Sequence, residues 1–191
     1  MSMRRLLPAL LLALTFFLSP QPGTAERDSQ QTLAVPPRPA GAMEGTAFFQ
    51  LIKDLPEPER EQHIINEVAS GNVPGFLRDL KPITVSGSVG GTSRDLTFYA
   101  TPDYLAVGSN EDFFRIPMSA PMAQQVADIT DCQLPTRKMV DDIWQAAGVK
   151  LAPHPFSPSE FAIDTVEVFW LSNQAIEEAR QGESLGQTVA G

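Results

Sequence analysis

The sequence predicts an α+β fold, a four-stranded antiparallel meander with N-terminal and C-terminal helices packed on it. Three observations lead there. Residues 81–118 alternate apolar and polar in short runs joined by turn residues. On either side of that stretch, apolar residues recur at intervals of three and four. Of 191 residues, 42% are hydrophobic and 19% charged, which supplies a core and excludes global disorder. The length suits one domain with appendages.

Taken in order, the first helix is expected from Thr46 as N-cap, with Phe48, Phe49, Ile52 and Leu55 as its apolar stripe and Pro56 as its stop. A second starts near Pro58, where Glu59 and Glu61 suit a helix N-terminus. Ile64, Ile65 and Val68 form its buried side, and Gly71 provides a left-handed exit. Asn72 and Pro74 then open a short helical turn through Phe76, Leu77 and Leu80.

Four strands follow. Ile83, Val85, Gly87 and Val89 alternate with Thr84, Ser86 and Ser88, and Gly90-Gly91 signals a hairpin. Leu96, Phe98 and Ala100 alternate likewise in the return strand. Pro102-Asp103 turns the chain into a third strand over 104–107. A fourth runs over 113–118, at the sheet edge because Pro117 lacks a ladder donor. Helices resume where Ser119 or Ala120 leads into Pro121, with Met122, Val126 and Ile129 at helical spacing. Thr136 caps the next, whose stripe is Met139, Val140, Ile143, Trp144 and Ala147, closed by Gly148. Pro153, Pro155 and Pro158 mark an irregular surface segment. Val166, Val168 and Trp170 alternate as a strand, which is the preferred reading, although Val166, Phe169 and Trp170 would also suit a helix. Residues 174–181 read as a helix ended by Gly182.

The N-terminus reads as an address. Arg4-Arg5 gives a positive start, Leu6 to Leu18 an apolar run, and Gly23-Thr24-Ala25 a small-residue cleavage site. That order is a secretory signal peptide over 1–25, because the apolar run is too short to span a bilayer and holds Pro8. Residues 26–45, with Pro36, Pro37 and Pro39, are expected to form a Pro-rich disordered spacer, leaving 46–191 as a single α+β domain. A secreted or periplasmic location follows. The compact apolar run, with no Asn-x-Ser/Thr acceptor in the chain, favours a bacterial source.

Fourteen Lys and Arg against 23 Asp and Glu give a net charge of −9. Removal of the leader takes away two basic residues and no acidic one, which deepens it to −11. So acidic a chain is not expected to bind nucleic acid or an anionic membrane surface, both of which are read by basic patches. No membrane span is expected after leader cleavage. One cysteine and two histidines leave no metal cage and no internal disulfide.

Few residues invite chemistry. Cys132 precedes the helix that carries Arg137 and Lys138 in its first turn, and a thiolate beside such cations is a better nucleophile. Asp131 opposes that activation, and a small residue packed at a helix corner is the plainer role. A base for Cys132 would be His154, in the Pro153–Pro155 loop, or His63 on the second helix. Asp141 and Asp142 are neighbours on a helix and diverge, so they cannot share a proton or a metal. Asn110, Glu111 and Asp112 read as a solvated strand connection. Ser86, Ser88 and Ser93 sit in no Gly-x-Ser-x-Gly setting, and Gly87 to Gly91 lacks the Lys-Ser/Thr ending of a phosphate loop. No cofactor is expected. Trp144 is read as core.

Several stretches together resemble a family of uncharacterised secreted bacterial proteins. They are Gly71 to Pro74 with Phe76-Leu77, Thr101 to Ser109, Leu134 to Ile143, Val149 to Pro153 and Leu185 to Gly191. The resemblance covers roughly residues 71–191 and brings no assigned activity. It implies a family chain that continues beyond the equivalent of Gly191 into a half with a Tyr-Ser-His-Gly segment, this chain being a shortened member. A Cys before a helix, with a His supplied later, is similar in layout to papain-like cell-wall hydrolases.

The expected function is therefore an exported bacterial protein acting as a non-catalytic binding or structural module, with a cell-envelope or extracellular ligand. The alternative is a cysteine-dependent hydrolase with Cys132 as nucleophile, its pKa tuned by Arg137 and Lys138, and His154 as a candidate base.

Overall fold

A computed structural model describes Thr15–Phe16 and residues 31–191. The leader 1–25, apart from those two residues, and the first part of the 26–45 spacer lie outside the described residues. From Gln31 the chain is extended, as expected of a Pro-rich segment, but it is laid against the domain. Leu33 is buried, Leu80 N–H donates to the Gln31 carbonyl, and Thr32 bridges Asp79. Arg78 fastens this strap by donating to the Pro36 and Gly71 carbonyls at 2.9 and 2.7 Å.

Helices α1 (Gly45–Ile52) and α2 (Glu57–Ala69) follow. Thr46 is not the N-cap of α1. Glu44 holds that position without a side-chain bond, and Asp112, distant in sequence, accepts from both the Thr46 N–H and hydroxyl. A 3-10 turn, Gly75–Leu77, sits where the short helical turn is expected.

The four-stranded meander does not form. Strands β2 (Lys81–Val89) and β3 (Thr92–Ala100) make one hairpin in continuous register, from Lys81↔Ala100 to Val89↔Thr92. Gly90 and Gly91 have φ of +60° and +81°, which the two-residue turn requires. The two-residue β1 (Thr15–Phe16) pairs with the far end of β3. Strands β4 (Ala106–Gly108) and β5 (Phe113–Arg115) pair only with each other, and both are wholly buried. The break falls at 101–105, where Asp103 turns inward to bind Arg115 and the chain cannot continue the ladder. Half-burial of the hairpin is also limited to its base. Ile83, Phe98 and Ala100 are buried, whereas Leu96 and Val89 are exposed.

Helix α3 (Ala120–Ile129) begins at Ser119, one of the two residues expected to lead into it, and α4 (Arg137–Ala146) begins at its expected cap. Ser119 accepts from Met122 N–H and Thr136 from Met139 N–H. On α4 only Met139 and Ile143 are buried, against the hairpin base. Val140 and Trp144, read as core from spacing, are about half exposed, and Lys150 Nζ lies 4.9 Å from the Trp144 ring centre. Strand β6 (Val149–Lys150) pairs in parallel with β7 (Val189–Ala190). Between them α5 (Val166–Ala179) runs unbroken through the expected strand. Val166, Phe169 and Trp170 meet the core at helical spacing, so the alternation of β-branched residues there is incidental to a helix face.

The main core joins α1, α2, α3 and the β4–β5 pair through Phe48, Ile52, Ile64, Leu105, Phe114 and Met122. Trp170 on α5 stacks on Phe49 at 4.6 Å and meets Phe114 edge-on, which fixes α5 across that core.

Candidate functional site

Cys132 does not sit in an electropositive niche. It follows Asp131, whose φ of 52° is left-handed, and its N–H bonds the Ala127 carbonyl to close α3. The thiol donates to the Thr130 carbonyl at 3.4 Å and packs half-buried against the main core. Burial pushes its pKa up and Asp131 adds to this, while a hydrogen bond with Thr130 works the other way. Arg137 and Lys138 are exposed, and Lys138 pairs with Asp142 one turn on. Among the described residues, no hydrogen bond or ion pair joins either cation to Cys132. His154 is also exposed, its ring 5.5 Å from that of Phe156, in a segment that follows β6. His63 is half-buried on α2 beside the fully buried Ile64.

The densest polar chemistry lies elsewhere, in a group the sequence analysis did not single out. Asn173, Glu177 and Arg180 stand at i, i+4 and i+7 along α5 and its C-cap, on one face of the helix. They meet Arg115 at the end of β5 and Asp103 in the loop before β4. Arg115 binds Asp103 through Nε–Oδ1 at 3.1 Å and Nη2–Oδ2 at 2.7 Å. Its Nη2 also reaches Glu177 at 2.6 Å, and Nη1 donates to Asn173 Oδ1 at 3.0 Å. Arg180 Nη1 completes the group, 3.3 Å from both Asp103 Oδ2 and Glu177 Oε1. Burial alone would lower the Arg115 pKa, but Asp103 and Glu177 outweigh it and the guanidinium is held more firmly charged. Two cations face two anions, so the group is neutral as a whole and its carboxylates are occupied. Its role is to clamp α5 to the β4–β5 pair. The sequence signal was the polar spacing 173, 177, 180, which splits when 166–170 is read as strand.

The clamp gives α5 two flanks with a cavity on each. One flank borders a cleft of mixed polar and apolar lining, about 470 Å³, lined in part by Trp170, Gln174 and Glu177 and by Glu111 and Asp112 of the β4–β5 turn. The other borders a groove of about 720 Å³, larger and mainly apolar. This groove is lined by Ser172, Ala175, Ile176 and Ala179 of α5, by Leu151 to Pro155 after β6, and by Tyr104 and Val189. Burial, with the Asp103 charge, raises the Tyr104 pKa and keeps its phenol neutral; Arg115 offsets this in part.

Asp103, His154 and Ser172 all line this groove, which invites comparison with a Ser-His-Asp triad. The geometry does not form one. Asp103 is committed to Arg115, Arg180 and the Tyr104 N–H, and no hydrogen bond links His154 to Ser172 or to Asp103 among the described residues. No group of three or more His, Cys, Asp or Glu is placed to hold a metal ion among the described residues. No described helix is long and apolar enough to cross a membrane. Comparison with known proteins adds no relative: no family model, no curated protein and no solved structure matches this chain.

Proposed function

We propose that this chain is an exported bacterial binding module of the cell envelope or extracellular space, non-catalytic, and that its ligand occupies the groove between α5 and Leu151–Pro155. One observation carries the reading. The groove, about 720 Å³, has mainly apolar walls with a few polar groups at its edge, the make-up and size of small-ligand sites. The leader-like N-terminus, the acidic charge and the resemblance to secreted bacterial proteins support export. The hydrolase alternative draws no support from the site, where burial disfavours the Cys132 thiolate and His154 is not joined to it.

The test is retention of envelope components on the immobilised protein. Ala179 is an exposed groove residue, so Ala179→Trp fills the site without disturbing the core. Saturable retention that this substitution abolishes would support the reading. Retention that survives it, or none at all, would count against it.

A further inference from the structure

We infer that the groove beside α5 takes an uncharged, elongated apolar molecule, such as the chain of a neutral lipid or fatty alcohol, with its hydroxyl end at Tyr104. This rests on the groove being the binding site proposed above and adds the class of ligand. Three features select that chemistry. The first is shape, since Ala175 and Ala179 leave the helix wall low, while Ile176, Leu151 and Val189 supply branched aliphatic surface along it. An aliphatic chain buried there gains from every methylene removed from water, at about 0.8 kcal/mol each.

The second is charge. The buried ion closest to the groove, Asp103, is cancelled by Arg115 and Arg180, so it offers no net field to a charged head. Among the described residues neither Lys nor Arg lines the groove, and the chain as a whole carries −9, so a carboxylate or phosphate head finds no lysine or arginine partner and meets a repulsive field. A cationic head finds no free carboxylate side chain there, because Asp103 is the sole acidic side chain in the lining and it is saturated. The third is the polar edge. Among the described residues the Tyr104 hydroxyl donates its proton only in a long 3.4 Å bond to the Gly191 carbonyl, and its oxygen remains able to accept from a ligand hydroxyl. His154 stands at the same groove and is exposed.

The experiment uses the neutral fluorescent probe N-phenyl-1-naphthylamine with the purified protein, displaced by three molecules of equal chain length: decanol, decanoate and decyltrimethylammonium. The expected result is saturable one-to-one probe binding, with decanol displacing it at least about tenfold more effectively than either ion, a difference of about 1.4 kcal/mol. Tyr104→Phe should weaken decanol about threefold to tenfold, the range of one neutral hydrogen bond, and leave the probe unaffected. Ala179→Trp should abolish both while the far-ultraviolet circular dichroism and thermal midpoint stay at the parent values. Equal or better displacement by either ion would overturn the inference, as would probe binding that Ala179→Trp leaves intact. If decanol and the probe do not bind but envelope retention is lost in Ala179→Trp, the ligand class falls and the binding-module reading stands. If neither assay responds, both fall.

Discussion

The Arg115 guanidinium grips the Asp103 carboxylate through two parallel bonds, of 3.1 and 2.7 Å, with both side chains no more than 2% exposed. Two-pronged geometry of this kind, with Glu177 and Arg180 closing the group, offsets the cost of withdrawing the charges from water. Removing one partner leaves the group with an unbalanced buried charge, although Glu177 still faces Arg115 and Arg180 still faces Asp103. Asp103→Asn and Arg115→Met are each expected to lower stability by about 3–5 kcal/mol, read from urea unfolding. The double substitution Asp103→Asn with Arg115→Met should cost clearly less than the two single losses together, because it leaves Glu177 and Arg180 as a balanced pair. Additive losses would mean that the two residues act independently.

Glu44 gives the acid end of the stability profile. It stands at the start of α1, where Arg38 Nη2 lies 3.0 Å from its carboxylate. A hydrogen bond from Ser109 holds its pKa below the ordinary glutamate value, and Arg38 adds to this against partial burial. A depressed folded-state pKa means stability that is present above the unfolded value and lost as pH falls through the folded one. Glu44→Gln should therefore be less stable at neutral pH, and the deficit should close once the pH drops below about 4. The carboxylate is nearly half exposed, so the loss is expected to stay under about 1 kcal/mol. Thermal midpoints of the two proteins across that range are the measurement.

Cys132 is expected to alkylate slowly at neutral pH, with a midpoint above the reference thiol value of about 8.5 and acceleration in denaturant. The raised pKa comes first from burial and then from Asp131. Asp131→Gly separates the two causes. It removes the charge and also relieves a left-handed backbone angle of 52°, at which a side chain costs about 1–2 kcal/mol. The variant should be more stable by up to about 1 kcal/mol, with a lower thiol midpoint that still does not fall below the reference value. A midpoint near 7 in the parent protein would restore Cys132 as an activated nucleophile.

What the sequence conveyed was mainly local. Ser119 and Thr136 announce their helices, Gly90-Gly91 its hairpin, and Met139 and Ile143 their buried stripe, because each signal lies within a few residues of its effect. Sheet membership was not legible. Val107 and Phe114 pair with each other and not with the hairpin, since Asp103 leaves the ladder for a guanidinium twelve residues away. A residue whose partner is remote looks like a solvated turn in the sequence. The clamp was hidden for the same reason, being assembled from a loop, a strand end and a helix. Trp144 shows the opposite error, because spacing gives a face but not what covers it. The extended conformation of the strap was legible from its prolines, but the burial of Leu33 depends on Arg78, far along the chain.

Gly45 and Gly108 give the last contrast. Gly108 ends β4 with φ of +127°, and a Cβ there would meet the Asp112 carbonyl and come within 2.8 Å of Gly45 N. Gly45 N–H itself donates to that carbonyl at 2.9 Å, so the start of α1 is pressed directly onto the β4–β5 turn. The facing glycine is equally constrained, since a Cβ on Gly45 would run into the Phe113 backbone. Backbone cannot move aside as a flexible side chain can. Gly108→Ala is expected to cost at least about 2 kcal/mol, from strain and overpacking together. Gly87, in the exposed half of the hairpin, has open space where its Cβ would be and no left-handed angle. Gly87→Ala should accordingly stabilise by about 0.4–1 kcal/mol, mainly by restricting the unfolded chain. Urea midpoints for the two variants should therefore move in opposite directions, and a Gly108→Ala variant as stable as the parent would show that α1 is not seated on the β4–β5 turn as described.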